Sequence, residues 1–452
     1  MFANPSFVPV DCSLRGLYFS LILLAVVLAI PGLPLAAEDP GLSPVGVAQI
    51  DITPSYPVRM YGYAARRTES EGVAGRLQAA ALVLGDDAGE GPAVLLTVDS
   101  GVVPPEIRDE VLRRVREQIP LQTARFVLAN SHTHAGPNLR GRRQFEGSER
   151  ERIERYAGEL TDKLEQVVLA AAAARQPGRL SWTQGTVGFA ANRRVLRDGR
   201  WSGFGAVPDG AVDHRLPLLR VTDAQHELLA LVVNYACHNT TLRGNFVQIH
   251  GDWTGSAIRA IQADHPGVIP LVTIGCGADA DPHPHGTVEL CDQHGRALAD
   301  EVNRLLAGPF QPLDPQLSSH HAVLEIVYQP ELPTAESTSD RPVTHSPSEL
   351  EVTVWAFGED LALIFLPHEV VVDYALRIQR DFDGSRLWIT AYCHDVATYL
   401  VSPRLIEEGG YEVRSSLSYR LSGGEPERVT PPIKQQLVEH VGRLLPAAFH
   451  SQ

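Results

Sequence analysis

The sequence predicts an α/β fold, with a mixed β-sheet core, helices covering both faces and a site at the C-terminal ends of the strands. Short apolar runs alternate with amphipathic stretches of helical period along most of the chain. Runs such as AVLLTV (Ala93–Val98) are apolar at all but one position, as in strands buried on both faces. Side chains that can hold a metal or move a proton follow one run after another, at the edge where open α/β sheets build their sites.

Taken in order, the chain begins with FSLILLAVVLAIPGLPLAAEDP from Phe19. An apolar core, Leu21 to Ile30, precedes the breakers Pro31 and Gly32 and then Ala36–Ala37, the layout of an export signal with a small-residue cleavage site. Residues 1–37 are therefore expected to be a signal peptide, leaving a single mature domain over 38–452, periplasmic or extracellular. The apolar core is shorter than the roughly 20 residues of a membrane span, so no stable span is expected after its removal. An uncleaved anchor is the alternative, because the positive region is only Arg15 opposed by Asp11.

Ala93–Val98 is followed by a helix around Glu106–Gln118. Arg125–Ala129 is the next strand, and Arg150–Arg175 the longest helical pattern. Strands at Leu228–Tyr235 and Val268–Ile274 precede and follow a helix at Trp253–Ala263, and a further helix spans Asp292–Leu306. Residues 332–349, rich in Ser, Thr and Pro, read as a loop excursion. Beyond it, Leu361–Leu366 leads into a helix at Glu369–Arg380, and Leu387–Ala391 is another strand.

A formal net charge of -15 argues against a nucleic-acid partner, which would need a basic face. Cys12 leaves with the signal, and Cys237, Cys276, Cys291 and Cys393 remain in an oxidising compartment without a CxxC pair. Cys237 and Cys276 are either a disulfide or small buried residues. No GxSxG elbow or HExxH helix is present, so those routes to hydrolysis lack support.

The chemistry gathers after the strands. Asp99 follows the first run, and NSHTHAGPN puts His132 and His134 after the second; as residues i and i+2 of an extended chain they are expected to share a face. Cys237, His238, His250 and Asp252 follow the third. GCGADADPHPH brings Asp279, Asp281, His283 and His285, PHE brings His368 and Glu369, and YCHDVATY brings His394, Asp395 and Tyr399. Imidazoles with a carboxylate and no consistent thiol set suit Zn²⁺. Asp252 either fixes a histidine tautomer or caps the helix at Trp253. His283 and His285, flanked by prolines, are left out of the metal set.

These residues resemble a known family. GVAQIDITPSYPVRMYGYAAR (Gly46–Arg66), SHTHAGP (Ser131–Pro137), ANRR (Ala191–Arg194), NYACHNTTL (Asn234–Leu242), HGDWTG (His250–Gly255), LPHEVVVDYALRI (Leu366–Ile378) and EEGGYEVRSSL (Glu407–Leu417) are similar to segments of the catalytic domain of neutral/alkaline, non-lysosomal ceramidases. The resemblance implies a Zn²⁺-dependent hydrolase of N-acyl amide bonds in a small-molecule or lipid-like substrate of the sphingolipid kind; the N-terminal segment adds export, and a metal-activated water is the expected nucleophile. It implies His132, His238, Glu369 and Tyr399 as metal ligands, with His134 and Arg193 beside the reacting amide.

Two departures stand out. Asp281 occupies the place of the family's serine, where it either orients or deprotonates the zinc water, adds a ligand, or marks lost activity. The chain also ends at Gln452, so no C-terminal β-sandwich domain is expected. The alternatives are a zinc hydrolase of an ester, cyclic amide or sugar-linked group, and a non-catalytic binding protein that keeps the pocket. Oligomeric state is unknown from the sequence.

Overall fold

The computed structural model describes residues 41–326, 348–416 and 433–450. The expected signal peptide, and the loop excursion over all but its last two residues, lie outside the described residues. The apolar runs form one mixed 13-stranded sheet. Three of its neighbouring pairs are parallel: Ala93–Val98 with Phe126–Asn130, Leu228–Tyr235 with Ile269–Ile274, and Leu361–Pro367 with Leu387–Cys393. A parallel pair needs a crossover, and helices Pro105–Arg116, Asp252–Asp264 and Val372–Asp381 supply the three. Antiparallel strands Gln78–Leu84, Ser43–Asp51, Gln176–Thr186 and Arg215–Asp223 join the first pair to the second. The first and third pairs meet at their C-terminal ends, through the single antiparallel pairing of Ala129 with Cys393.

Side-chain alternation explains why so many runs are apolar throughout. Leu82, Leu95, Val127, Leu219, Val232, Leu271, Leu363 and Trp388 share a core made almost wholly of strand residues, so the sheet bends back and packs on itself. Alternate residues point the other way. Ala81, Leu96 and Leu128 pack with Val111 and Leu164 from helices Pro105–Arg116 and Gly147–Ala173. Val233, Val272, Ile364 and Ile389 pack with Ile261, Leu298 and Ile378 from Asp252–Asp264, Val288–Leu306 and Val372–Asp381. The bend brings the second pair to the third: Asn234 donates from its amide to the Ile389 carbonyl at 3.1 Å and accepts from Thr273 at 3.0 Å. Three sets of strand ends therefore converge.

Two local expectations change. The helix expected from Glu369 begins only at Val372; Glu369–Val370 is a two-residue strand lying parallel to Tyr399–Leu400. The hairpin Ala190–Arg197 and Arg200–Val207 was not visible as a pair of strands, because its outer face is exposed and carries no apolar run. No helix among the described residues is long and apolar enough to cross a membrane.

Candidate metal centre and cavity

His132 stands just past the strand Phe126–Asn130, in the left-handed region at φ 55°. The pleat that was expected to pair it with His134 has ended by then, and a turn does the work instead. Its backbone N–H donates to the Ser100 carbonyl at 2.9 Å, and its Nδ1 lies 2.8 Å from the Gly101 carbonyl. A carbonyl only accepts, so Nδ1 carries the proton and Nε2 presents a lone pair. Gly101 can stand there because a Cβ at that position would lie 2.1 Å from the Tyr61 ring.

The Nε2 atoms of His132 and His134 are 3.3 Å apart, and a ring nitrogen from each of His132, His134 and His238 lies within 4.8 Å of the others. Glu369 closes the group, its Oε2 3.3 Å from His132 Nε2 and 3.7 Å from His238 Nε2. That buried oxygen has no hydrogen-bond partner. Burial, then the charges of neighbouring cationic groups, hold the His134 and His238 imidazoles well below their usual range, so at neutral pH both are electron-pair donors. Imidazole nitrogens and an orphaned carboxylate oxygen facing one another could hold a metal ion between them. Nitrogen and oxygen donors without a thiolate fit a zinc-like ion, and the Cys237 thiol turns away to the His238 carbonyl.

Several groups that sequence reasoning missed orient these side chains. Tyr392, itself at φ 58°, places its hydroxyl 3.2 Å from His238 Nδ1 and its ring 4.7 Å from that of His132. Tyr61 meets the His132 and His134 rings edge-on. Such left-handed non-glycine residues cost of order 1–3 kcal/mol each and persist where the surroundings over-determine them. Inside a strand, a buried tyrosine gives no signal that separates it from ordinary core.

Tyr399 is the register partner of Glu369, and its hydroxyl accepts from Arg193 Nη2 at 3.2 Å. Burial and the Glu369 charge raise its phenol well above the usual range, against the pull of Arg193. Arg193 also donates to Asp281 at 3.0 Å, and Asp281 accepts from Thr240 at 3.2 Å and from Arg243 at 3.3 Å. Burial alone would raise the Asp281 carboxyl; the two guanidiniums outweigh it and hold the group below the usual carboxylate range.

Asp252 opens its helix at φ 56° and accepts from the Thr241, Leu242 and Trp253 amides at 3.0, 2.8 and 2.7 Å. It clamps the loop after His238 and takes no histidine proton; His250 Nδ1 accepts from the Asp252 amide instead. Asp279 accepts from the Val372 amide at 2.9 Å at the start of the helix behind Glu369. The four described cysteines are free thiols, so Cys237 and Cys276 are small buried residues.

The imidazoles of His134 and His238 open onto a cavity of about 550 Å³, whose wall includes Tyr399, Arg193 and Asp281 together with Phe204 and Tyr411. That volume is within the ~300–1,000 Å³ of small-molecule sites. His283 and His285 line the same wall, outside the three-histidine group.

The family model for neutral/alkaline non-lysosomal ceramidase, N-terminal, matches residues 44–269, half of the chain. The chain belongs to the neutral/alkaline non-lysosomal ceramidase family. Among solved structures, this ceramidase-family chain is similar to the neutral ceramidase from Pseudomonas aeruginosa, at 17% identity over 88% of this chain and 73% of that one, with a TM-score of 0.70. It is also similar to a ceramidase complexed with C2, at 16% identity over 91% and 77%, with a TM-score of 0.68. No curated protein matches it. Family and fold make it a ceramidase-like hydrolase. The matched stretch carries His132, His134, Arg193 and His238, whereas Asp281, Glu369 and Tyr399 lie beyond it and reach the site through the fold.

One buried acid behind the site makes a test. Asp99, at the end of Ala93–Val98, accepts from the Gln78 amide at 3.0 Å, and burial pushes its carboxyl up to about 7. The unfolded value is near ~3.9, so this raised group's contribution is fully present below about pH 4 and is lost as pH rises through about 7. Asp99→Asn is expected to flatten that decline, by about 4 kcal/mol at most. Thermal unfolding followed from pH 4 to 8 checks it; an identical slope in both proteins would reject it.

Proposed function

We propose that the chain is an exported, zinc-dependent hydrolase of N-acyl amide bonds in lipid-like or small-molecule substrates. The observation that carries the reading is the convergence of three imidazoles and the unpartnered Glu369 oxygen at one end of the cavity. His132, His238, Glu369 and Tyr399 would hold the ion. When bound, zinc supplies Lewis-acid polarisation of an acyl carbonyl and of water. The names of the two structural relatives, both ceramidases, favour an acyl amide over an ester.

The chain's own groups do the rest. Arg193 lines the cavity with its guanidinium on the Tyr399 hydroxyl, placed to stabilise negative charge growing on the acyl oxygen. His134, kept neutral by burial and facing the cavity, takes the proton of the attacking water and delivers it to the leaving amine. Asp281 suits neither task. Its two oxygens accept from the Arg193 and Arg243 guanidiniums, and its role in this reading is to orient them. Export rests on the pattern of residues 1–37.

Elemental analysis of the purified protein is expected to find one zinc per chain. Chelation is expected to abolish hydrolysis of N-acyl amides, and added Zn²⁺ to restore it. Purified protein without stoichiometric zinc would sink the reading, while full zinc with no turnover of any acyl amide would favour a binding protein.

A further inference from the structure

Arg193 is a buried cation whose guanidinium hydrogen-bonds to three side chains, of which two, Tyr399 and Asp281, belong to the cavity wall. The third is Glu412, whose carboxylate is wholly buried and not part of that wall. It accepts from Arg193 Nε at 2.9 Å through one oxygen and from Arg194 through the other. Arg194 is anchored in turn on Glu408, at 3.1 Å, and on the Gly409 carbonyl, at 2.7 Å. The adjacent arginines of the hairpin strand Ala190–Arg197 are thus pinned to the segment Pro403–Arg414 by two carboxylates.

The glycines before Glu412 permit this. Gly410 has φ 108°, and a Cβ there would lie 2.4 Å from the Trp201 ring, so only glycine lets the segment close on the hairpin. A guanidinium is planar, with its N–H donors in a fixed fork. Fixing the Nε edge therefore fixes where Nη1 and Nη2 point.

We propose that Glu412 is a positioning residue: its buried carboxylate sets the plane of the Arg193 guanidinium and so aims the opposite edge at the Tyr399 hydroxyl and the Asp281 carboxylate. The proposal rests on the amide-hydrolase reading for its effect on rate, though not for its geometry. Without the Glu412 charge, Asp281 becomes the only carboxylate on Arg193, and the guanidinium turns towards it and away from Tyr399.

In the full chain, Glu412→Gln is expected to lower kcat for an N-acyl amide by ~10- to 100-fold, the usual range for groups that orient a metal site's partners. KM is expected to stay within about two-fold and zinc content to be unchanged, a split that loosened folding would not produce. Glu412→Asp, which keeps the charge, is expected to recover part of the loss. Adding Glu412→Gln to Arg193→Lys should cost little beyond Arg193→Lys alone, since both act through one side chain. A Glu412→Gln protein with unchanged kcat, or losses that multiply in the double variant, would overturn the proposal.

A crystal structure of Glu412→Gln keeps this apart from the parent reading. The expected result is an Arg193 no longer hydrogen-bonded to Tyr399; an Arg193 left in place overturns the positioning role whatever the activity. If the unmodified chain hydrolyses no acyl amide, the hydrolase reading fails, and the crystal result alone decides the role of Glu412.

Discussion

His132→Ala and His238→Ala, made separately, are each expected to abolish stoichiometric zinc and to lower hydrolysis by on the order of 1,000-fold. The two residues reach the centre from different parallel strand pairs, yet their rings are 4.8 Å apart and both face one Glu369 oxygen. His132 is held by the Gly101 carbonyl and His238 by the Tyr392 hydroxyl, so a shortened side chain at either position removes a donor that its own surroundings aim at the centre. His134 provides the contrast: its place in the cavity wall predicts loss of turnover with zinc largely retained in His134→Ala. Elemental analysis beside initial rates separates the two behaviours. Full zinc in either His132→Ala or His238→Ala would reject that residue as a ligand.

The second large effect is on stability. Trp253→Ala is expected to cost about 3–5 kcal/mol, as for other fully buried aromatic side chains cut to alanine. Trp253 is wholly buried at the start of the helix Asp252–Asp264, with the Phe189 and Tyr235 rings at 5.3 and 5.9 Å. Its indole N–H also donates to the His238 carbonyl at 3.1 Å, so the same change loosens the backbone that carries a proposed ligand. Denaturant unfolding should show the lost stability, and zinc titration a weaker affinity in the protein that remains folded. A midpoint within experimental error of the parent would mean that the core refills the space, against what such close packing implies.

Much of the architecture was legible before any coordinates. Leu228–Tyr235 and Leu361–Pro367 read as strands because both of their faces are buried, one against other strands and one against helices. His132, His238 and Glu369 were legible because each follows such a run. What stood against local reading was of two kinds. The hairpin carrying Arg193 has an exposed outer face and no apolar run, and Glu412, Tyr392 and Arg243 look like ordinary surface or core residues until their partners, 154 to 219 positions away or 38 in the case of Arg243, are in place. Asp281 shows the second kind. As a lone aspartate after a strand it reads as a base, a ligand or a relic, and only the two arginines folded against it make it a partner for cations.

The sequence by itself determined the αβ alternation, the placing of imidazoles and carboxylates just past the strands, and the family likeness carried by SHTHAGP and its companions. Each of these is a property of a few consecutive residues. Tertiary structure decided that the sheet bends back so that the ends of three parallel pairs meet, that His132 leaves its strand through a left-handed turn, and which charges neutralise which. Those outcomes depend on strand register and on side chains brought together from distant parts of the chain, and no short stretch of sequence contains both partners of such a contact.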